Sequence, residues 1–229
     1  MAAFIRQHVP KTDSDPPLFV MGNSMGGGQV LTLMCGGGEG DLVGQVRGWL
    51  CEAPLVGLAP EEQPSWLKVF SARLVGKVLP RLHMVQELPP ENLTRIPEVQ
   101  KSIREDELVH NTGTIEGLAG MLDRTNALSS GATRPDGAKV RALWIGHGTG
   151  DKGTSYAETK KWFDSYAGVV PDRELKTYEG AYHQLHADLC KEEFEKDVAD
   201  WILARAGAGG EVKAAEAKPV ESKVLDSKL

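Results

Sequence analysis

The sequence predicts an α/β fold, a parallel and doubly wound sheet interrupted by a block of helices. Three observations lead there. Short apolar runs alternate with helix-periodic segments along most of the 229 residues, the pattern of strands joined by helical crossovers. One such run, Leu18 to Met21, enters Gly22-Asn23-Ser24-Met25-Gly26 and then a helix-capable stretch, Gln29 to Cys35. Hydrophobic residues make up 41% and charged residues 25% of the chain, an ordinary balance for a soluble protein that buries one core.

Taken in order, residues 2–9 read as the closing turns of a helix through Phe4 and Ile5, and Pro10 to Pro17 as a polar loop. The first strand and its helix follow. Gly36 to Asp41 reads as a loop, and Val46 to Cys51 as a second strand ended by Glu52-Ala53-Pro54. From Leu55 to Ser130 strand signals vanish. Trp66, Val69, Phe70, Leu74 and Val78 recur at helical spacing as the core of an inserted helical block, with part of the stripe as an alternative acyl-lining or membrane-facing surface. Pro80 ends that helix. Pro97 to Glu107 is a polar segment, and Thr114 to Leu128 another helix. A third strand, Val140 to Ile145, closes in Gly146-His147-Gly148-Thr149-Gly150-Asp151. A helix from Ser155 to Tyr166 leads to a fourth strand, Glu174 to Tyr178, and a last helix runs from Lys191 to Arg205 before Gly207. These readings divide the chain into a partial core (1–54), a helical cap insertion (55–130), a second core segment (131–206) and a disordered tail (207–229), where charge and alanine alternate without apolar periodicity.

Composition narrows the function. The formal net charge of −6 implies no general affinity for nucleic acid. Cys35, Cys51 and Cys190 form no CxxC pair and no metal spacing, the usage of reduced thiols in a cytoplasmic protein. No run reaches the ~18 apolar residues of a membrane span, and the first residues lack the sustained apolar core of a signal peptide.

The pattern G-x-S-x-G between a strand and a helix is the sequence form of a nucleophile elbow. Glycines at 22 and 26 are expected to let strand and helix approach where a Cβ would clash. The helix N-terminus supplies N–H groups and partial positive charge where an oxyanion would develop. The competing reading is a glycine-rich turn capped by a serine. Sites in parallel sheets form at the carboxyl ends of strands, which singles out the loops after the third and fourth strands. There stand Asp151 and His183, so the order Ser24, Asp151, His183 is the order this chemistry takes on such a sheet. In these roles Ser24 attacks an acyl carbonyl, His183 carries its proton, Asp151 fixes the imidazole tautomer, and the N–H of Met25 stabilises the oxyanion. Alternatives stand beside them: His186 as the base, His183 and His186 as a metal pair, Glu179 or Asp172 as the acid, and a structural role for His147.

On these residues the chain resembles the monoacylglycerol lipase family of α/β-hydrolases. The resemblance lies in Gly22-Asn23-Ser24-Met25-Gly26-Gly27, in Phe70 to Leu82, in Thr114 to Asp123, in Ile145 to Asp151 and in Tyr178 to His186, whose first histidine is the family's base. It covers roughly residues 2–206 and implies hydrolysis of a monoacylglycerol to glycerol and fatty acid. No cofactor and no metal are implied. The helical block would be a cap over an acyl tunnel, with peripheral contact to a membrane or lipid droplet. Asn23 stands where the family has histidine. The family also carries a long segment before the position of Met1, with the first strands of the sheet and a His-Gly loop that donates a second oxyanion N–H. The resemblance therefore implies an N-terminally truncated chain, and a non-catalytic, hydrolase-like fragment is the alternative to a working enzyme.

Overall fold

Side chains two apart on a strand share a face, and on the central strands of this chain both faces are apolar. The computed structural model describes residues 1–12, 14–36, 40–86 and 88–207. In chain order its elements are α1 (Ala2–Gln7), β1 (Phe19–Asn23), α2 (Ser24–Met34), α3 (Gly40–Val43), β2 (Gly48–Glu52), α4 (Trp66–Gly76), β3 (His83–Val85) and α5 (Pro97–Glu105). There follow β4 (Thr112–Thr114), α6 (Ile115–Ser129), β5 (Ala142–Gly148), α7 (Tyr156–Tyr166), β6 (Asp172–Tyr178) and α8 (Lys191–Arg205).

Four strands form one parallel sheet in the order β1-β2-β5-β6. Every residue of β2 and of β5 is buried, as expected of parallel strands covered on both sides. Trp49, Cys51, Leu143 and Ile145 pack with Leu31 and Met34 of α2, Leu128 of α6 and Trp162 of α7. The alternate residues Leu50, Ala142 and Trp144 pack with Phe194 and Trp201 of α8. Period two along the strands thus sorts the helices onto opposite faces, and the sheet is doubly wound.

Helix starts follow local chemistry. Thr114 Oγ1 accepts the Gly117 N–H at the head of α6, and Ser155 Oγ accepts the Glu158 N–H at the head of α7, each satisfying a donor the helix leaves free. Gly207, just beyond α8, takes φ 127°.

The segment expected to be purely helical also holds a short antiparallel ladder, β3 with β4, in register His83↔Thr114 to Val85↔Thr112. Three-residue strands with two exposed positions in β3 carry no apolar alternation to read. Gly40 and Asp41, expected in a loop, open the one-turn α3. The stripe on α4 is corrected as well. Phe70 and Leu74, with Val78 beyond the helix end, are 60%, 59% and 79% exposed, so they are not a core. The helix instead turns Val69 and Ala72 toward Leu118 and Leu122 of α6, around a cavity of about 270 Å³. Of the expected disordered tail, residues 208–229 lie outside the described residues.

Candidate active site

β1 ends at Asn23 and α2 begins at Ser24 with no residue between them. Ser24 takes φ 54°, a left-handed conformation that costs an L-residue roughly 1–2 kcal/mol. Such strain persists where the surroundings fix it. The Ser24 carbonyl accepts the Leu55 N–H at 2.9 Å. A Cβ on Gly22 would lie 2.6 Å from the Gly26 carbonyl oxygen, so strand and helix meet closely there. A Cβ on Gly26 itself would meet nothing within 4 Å. This corrects the sequence expectation: Gly26 contributes its backbone to the close approach, and its missing side chain is not what permits it. Gly27 takes that part instead, with Pro54 Cα 2.9 Å from where a Cβ would stand.

The neighbouring strand ends in the same way. Ala53, just after β2, has φ 42°. Its N–H donates to the Gly146 carbonyl at 2.8 Å, and its own carbonyl accepts from Thr154 Oγ1 at 3.1 Å. The ends of β1, β2, β5 and β6 therefore share one edge, which carries Ser24, Asp151 and His183.

Asp151 is the hub of that edge, and its side chain is fully enclosed. Oδ1 accepts the N–H groups of Gly153 at 2.7 Å and Thr154 at 2.9 Å. Oδ2 lies 2.8 Å from His183 Nδ1, 3.0 Å from His147 Nε2 and 2.8 Å from Thr154 Oγ1. Burial opposes ionisation of this carboxyl, but the hydrogen bonds from His147 and His183 outweigh it and hold the pKa far below the ordinary 3.8. Asp151 is thus a carboxylate, so His183 donates through Nδ1 and its Nε2 is the nitrogen left to accept a proton. Among the described residues no hydrogen bond joins Ser24 Oγ to His183. Such bonds are often long in ligand-free sites.

His147, given a structural part from the sequence, is completely buried and touches Asp151 directly. Among the described residues its Nδ1 has no hydrogen-bond partner. A proton on that nitrogen would be a buried, unpaired N–H, so the tautomer that fits the site is the one that donates from Nε2 to Asp151. His186 belongs to a different acid. Its backbone N–H and Nδ1 bond Glu52 Oε1 at 3.1 and 2.7 Å, and Glu52 is only 2% exposed. The hydrogen bond to Glu52 raises the His186 pKa above 6.5 against the opposing effect of burial. His183 and His186 are therefore held by separate carboxylates. The fallback acids stand elsewhere: Glu179 accepts from Thr149 Oγ1, and Asp172 pairs with Arg205. The one sequence signal for Glu52 is a charged residue closing the apolar strand Gly48–Glu52.

The first helical N–H groups of α2, that of Met25 among them, have no partner inside the helix. The Met25 side chain is exposed. Among the described residues no group of three or more His, Cys, Asp or Glu is arranged to hold a metal ion, and no helix is long and apolar enough to cross a membrane.

The chain is similar to known proteins over most of its length. The chain is 30% identical over 212 residues to a protein of Schizosaccharomyces pombe provisionally named a monoglyceride lipase, covering 92% of this chain and 54% of that one. It is 27% identical to a monoacylglycerol lipase of Mycolicibacterium smegmatis, covering 82% of this chain and 62% of that one. The chain thus spans little more than half the length of these relatives. Among solved structures, a soluble variant of monoglyceride lipase from Saccharomyces cerevisiae matches with TM-score 0.78 at 21% identity, over 90% of this chain and 68% of that one. The monoacylglycerol lipase of Paleococcus ferrophilus matches with TM-score 0.73 at 22% identity, over 89% and 72%. These structural likenesses carry the α/β-hydrolase fold. Residues 1–189 match the family described as serine aminopeptidase, S33, and the chain belongs to that family of α/β-hydrolases.

Proposed function

We propose that the chain is a serine hydrolase of lipid esters, acting on monoacylglycerols through Ser24, His183 and Asp151. The observation that carries this reading is the 2.8 Å bond between His183 Nδ1 and the enclosed Asp151 carboxylate, on the sheet edge that also bears Ser24. In the proposed cycle Ser24 Oγ attacks the ester carbonyl and its proton passes to His183 Nε2. Asp151 stabilises the resulting imidazolium. The N–H of Met25 meets the oxyanion at the positive end of α2. Collapse releases glycerol, which takes the proton from His183, and a water attacks the acyl-enzyme by the same route to release the fatty acid. No cofactor enters these steps.

The monoacylglycerol assignment draws on the names of the relatives and on the apolar cavity of about 270 Å³ between α4 and α6, lined by Val69, Leu118, Met121 and Met84. The cavity wall also holds Glu62, Gln63, Arg73 and Gln86 and does not include Ser24, Asp151 or His183, so the names of the relatives carry most of the assignment. In this reading residues 55–130 form a cap over the site. The exposed Phe70, Leu74 and Val78 give that cap a face for peripheral contact with a lipid surface. A second reading is a hydrolase-like chain without turnover, in which Ser24, Asp151 and His183 are present and Ser24 is not activated.

The test is turnover. The chain should release fatty acid from a monoacylglycerol, more slowly from di- and triacylglycerols, and should leave an aminoacyl anilide intact. Release of free amine from the anilide with no attack on the ester would replace this reading by a peptidase one. No turnover of either substrate by the folded chain would select the second.

A further inference from the structure

His183 is not held by its side chain alone. Its two neighbours in the chain are both fastened, through their backbone N–H groups, to one cluster around residues 93–95. The Tyr182 N–H donates to Asp188 Oδ2 at 2.8 Å, and the Gln184 N–H donates to the Leu93 carbonyl at 2.8 Å. Asp188 is completely buried. Its carboxylate also takes the Arg95 backbone N–H at 2.8 Å and a two-pronged bond from the Arg95 guanidinium, Nε at 3.0 Å and Nη2 at 2.7 Å to Oδ2. Thr94 Oγ1 donates to the Ala187 carbonyl. Two cations approach the Tyr182 ring, with Arg95 Cζ 5.5 Å and Lys152 Nζ 4.6 Å from its centroid. Arg95 stands just before α5, and 93 residues separate it from Asp188. A segment on the far side of β5 in sequence is therefore bonded, directly or through Asp188, to both chain neighbours of His183.

We infer that Arg95 and Asp188 are positioning residues that fix His183 against Asp151, and that through them the segment leading into α5 controls the alignment of the base. The inference rests on the serine-hydrolase reading. Its physical content is geometric. The carboxylate of Asp188 joins the loop's own N–H to a planar, two-pronged guanidinium, which a lysine cannot reproduce. Without that anchor Tyr182 and Gln184 are free to shift. A displacement of about 1 Å at a reacting group costs on the order of 100-fold in rate.

The experiment compares the parent chain with Arg95→Ala, Arg95→Lys and Asp188→Asn. Ester hydrolysis, the rate of fluorophosphonate labelling, thermal unfolding and the low-field proton resonance of His183 Nδ1–H are measured on each, the resonance in a Ser24→Ala background. In folded Arg95→Ala, kcat and labelling should fall about 10- to 100-fold with KM little changed. Added guanidinium should recover part of the loss, Arg95→Lys should lie between, and the Nδ1–H resonance should broaden or move upfield. Where Asp188→Asn does not fold, Arg95→Ala with guanidinium rescue decides. Parent-like kcat, labelling and resonance in folded Arg95→Ala would overturn the inference. Should the parent chain itself neither label nor turn over, the hydrolase reading fails, and the resonance still decides whether the clamp orients His183: disturbed in Arg95→Ala, it stands; unchanged, it falls.

Discussion

Two glycines of one pentapeptide should respond in opposite directions to the same added methyl group. At Gly22 a Cβ would sit 2.6 Å from the Gly26 carbonyl oxygen, 2.7 Å from its carbon and 2.8 Å from the Gly27 nitrogen. All three are backbone atoms inside the first turn of α2, so no side chain can swing aside. Relief requires β1 and α2 to separate, and overpacking of this kind costs typically ~1–3 kcal/mol. At Gly26 a Cβ would meet nothing within 4 Å. Alanine there loses less backbone entropy in a helical position and should gain roughly 0.5–1 kcal/mol. For a chain of this size each kcal/mol moves Tm by about 2–4 °C. Gly22→Ala should therefore lower Tm by several degrees and Gly26→Ala raise it slightly, as read by calorimetry. The strain of the first variant falls on Ser24, so its labelling by a serine-directed probe should fall as well. A Gly22→Ala chain as stable as the parent, or a Gly26→Ala chain that is clearly less stable, would refute the account of how strand and helix meet.

Other perturbations follow from the carboxylates. Asp151 has a depressed pKa, so its stabilisation is complete above the ordinary 3.8 and is lost as pH falls through the depressed value. Asp151→Asn should remove that acid-side dependence from the unfolding curve while also abolishing labelling. His186 has a raised pKa, so the stabilisation from Glu52 is complete below 6.5 and is lost as pH rises through the raised value. Glu52→Gln should flatten the decline of Tm above pH 6.5, and an unchanged slope would show that this pair carries no linkage. His147→Leu removes a hydrogen bond to a charged group, a kind worth about 1.5–3 kcal/mol, whereas His147→Gln can keep a donor toward Asp151. Ester hydrolysis should fall more in the leucine variant than in the glutamine one, and equal rates would reduce His147 to packing.

Much of this fold was legible because strands, turns and helices each leave a local mark. The buried runs around Trp49 and Trp144, the elbow and the loops ending in Asp151 and His183 all lie within a few residues of their own signals. Element ends shifted by only a few residues, as with β5, which runs on to Gly148. What stayed hidden depends on long-range geometry. Nothing local tells Gly26 from Gly22, because the difference lies in which way each Cα–H points. The turn of α4 that exposes Phe70 and Leu74 is set by packing on α6, and its apolar spacing reads the same either way. β3 and β4 are too short to show a period. Glu52 and Asp188 read as isolated acids until the fold brings His186 to one and Arg95 to the other across 134 and 93 residues.

The central claim is that Ser24 is an activated nucleophile, and covalent trapping tests it most directly. The folded chain is treated with a fluorophosphonate and the modified residue is located by mass spectrometry, beside Ser24→Ala and His183→Ala. The account predicts one label, on Ser24, absent from both variants. A label on another residue, labelling that survives in Ser24→Ala, or no labelling of folded protein would contradict it.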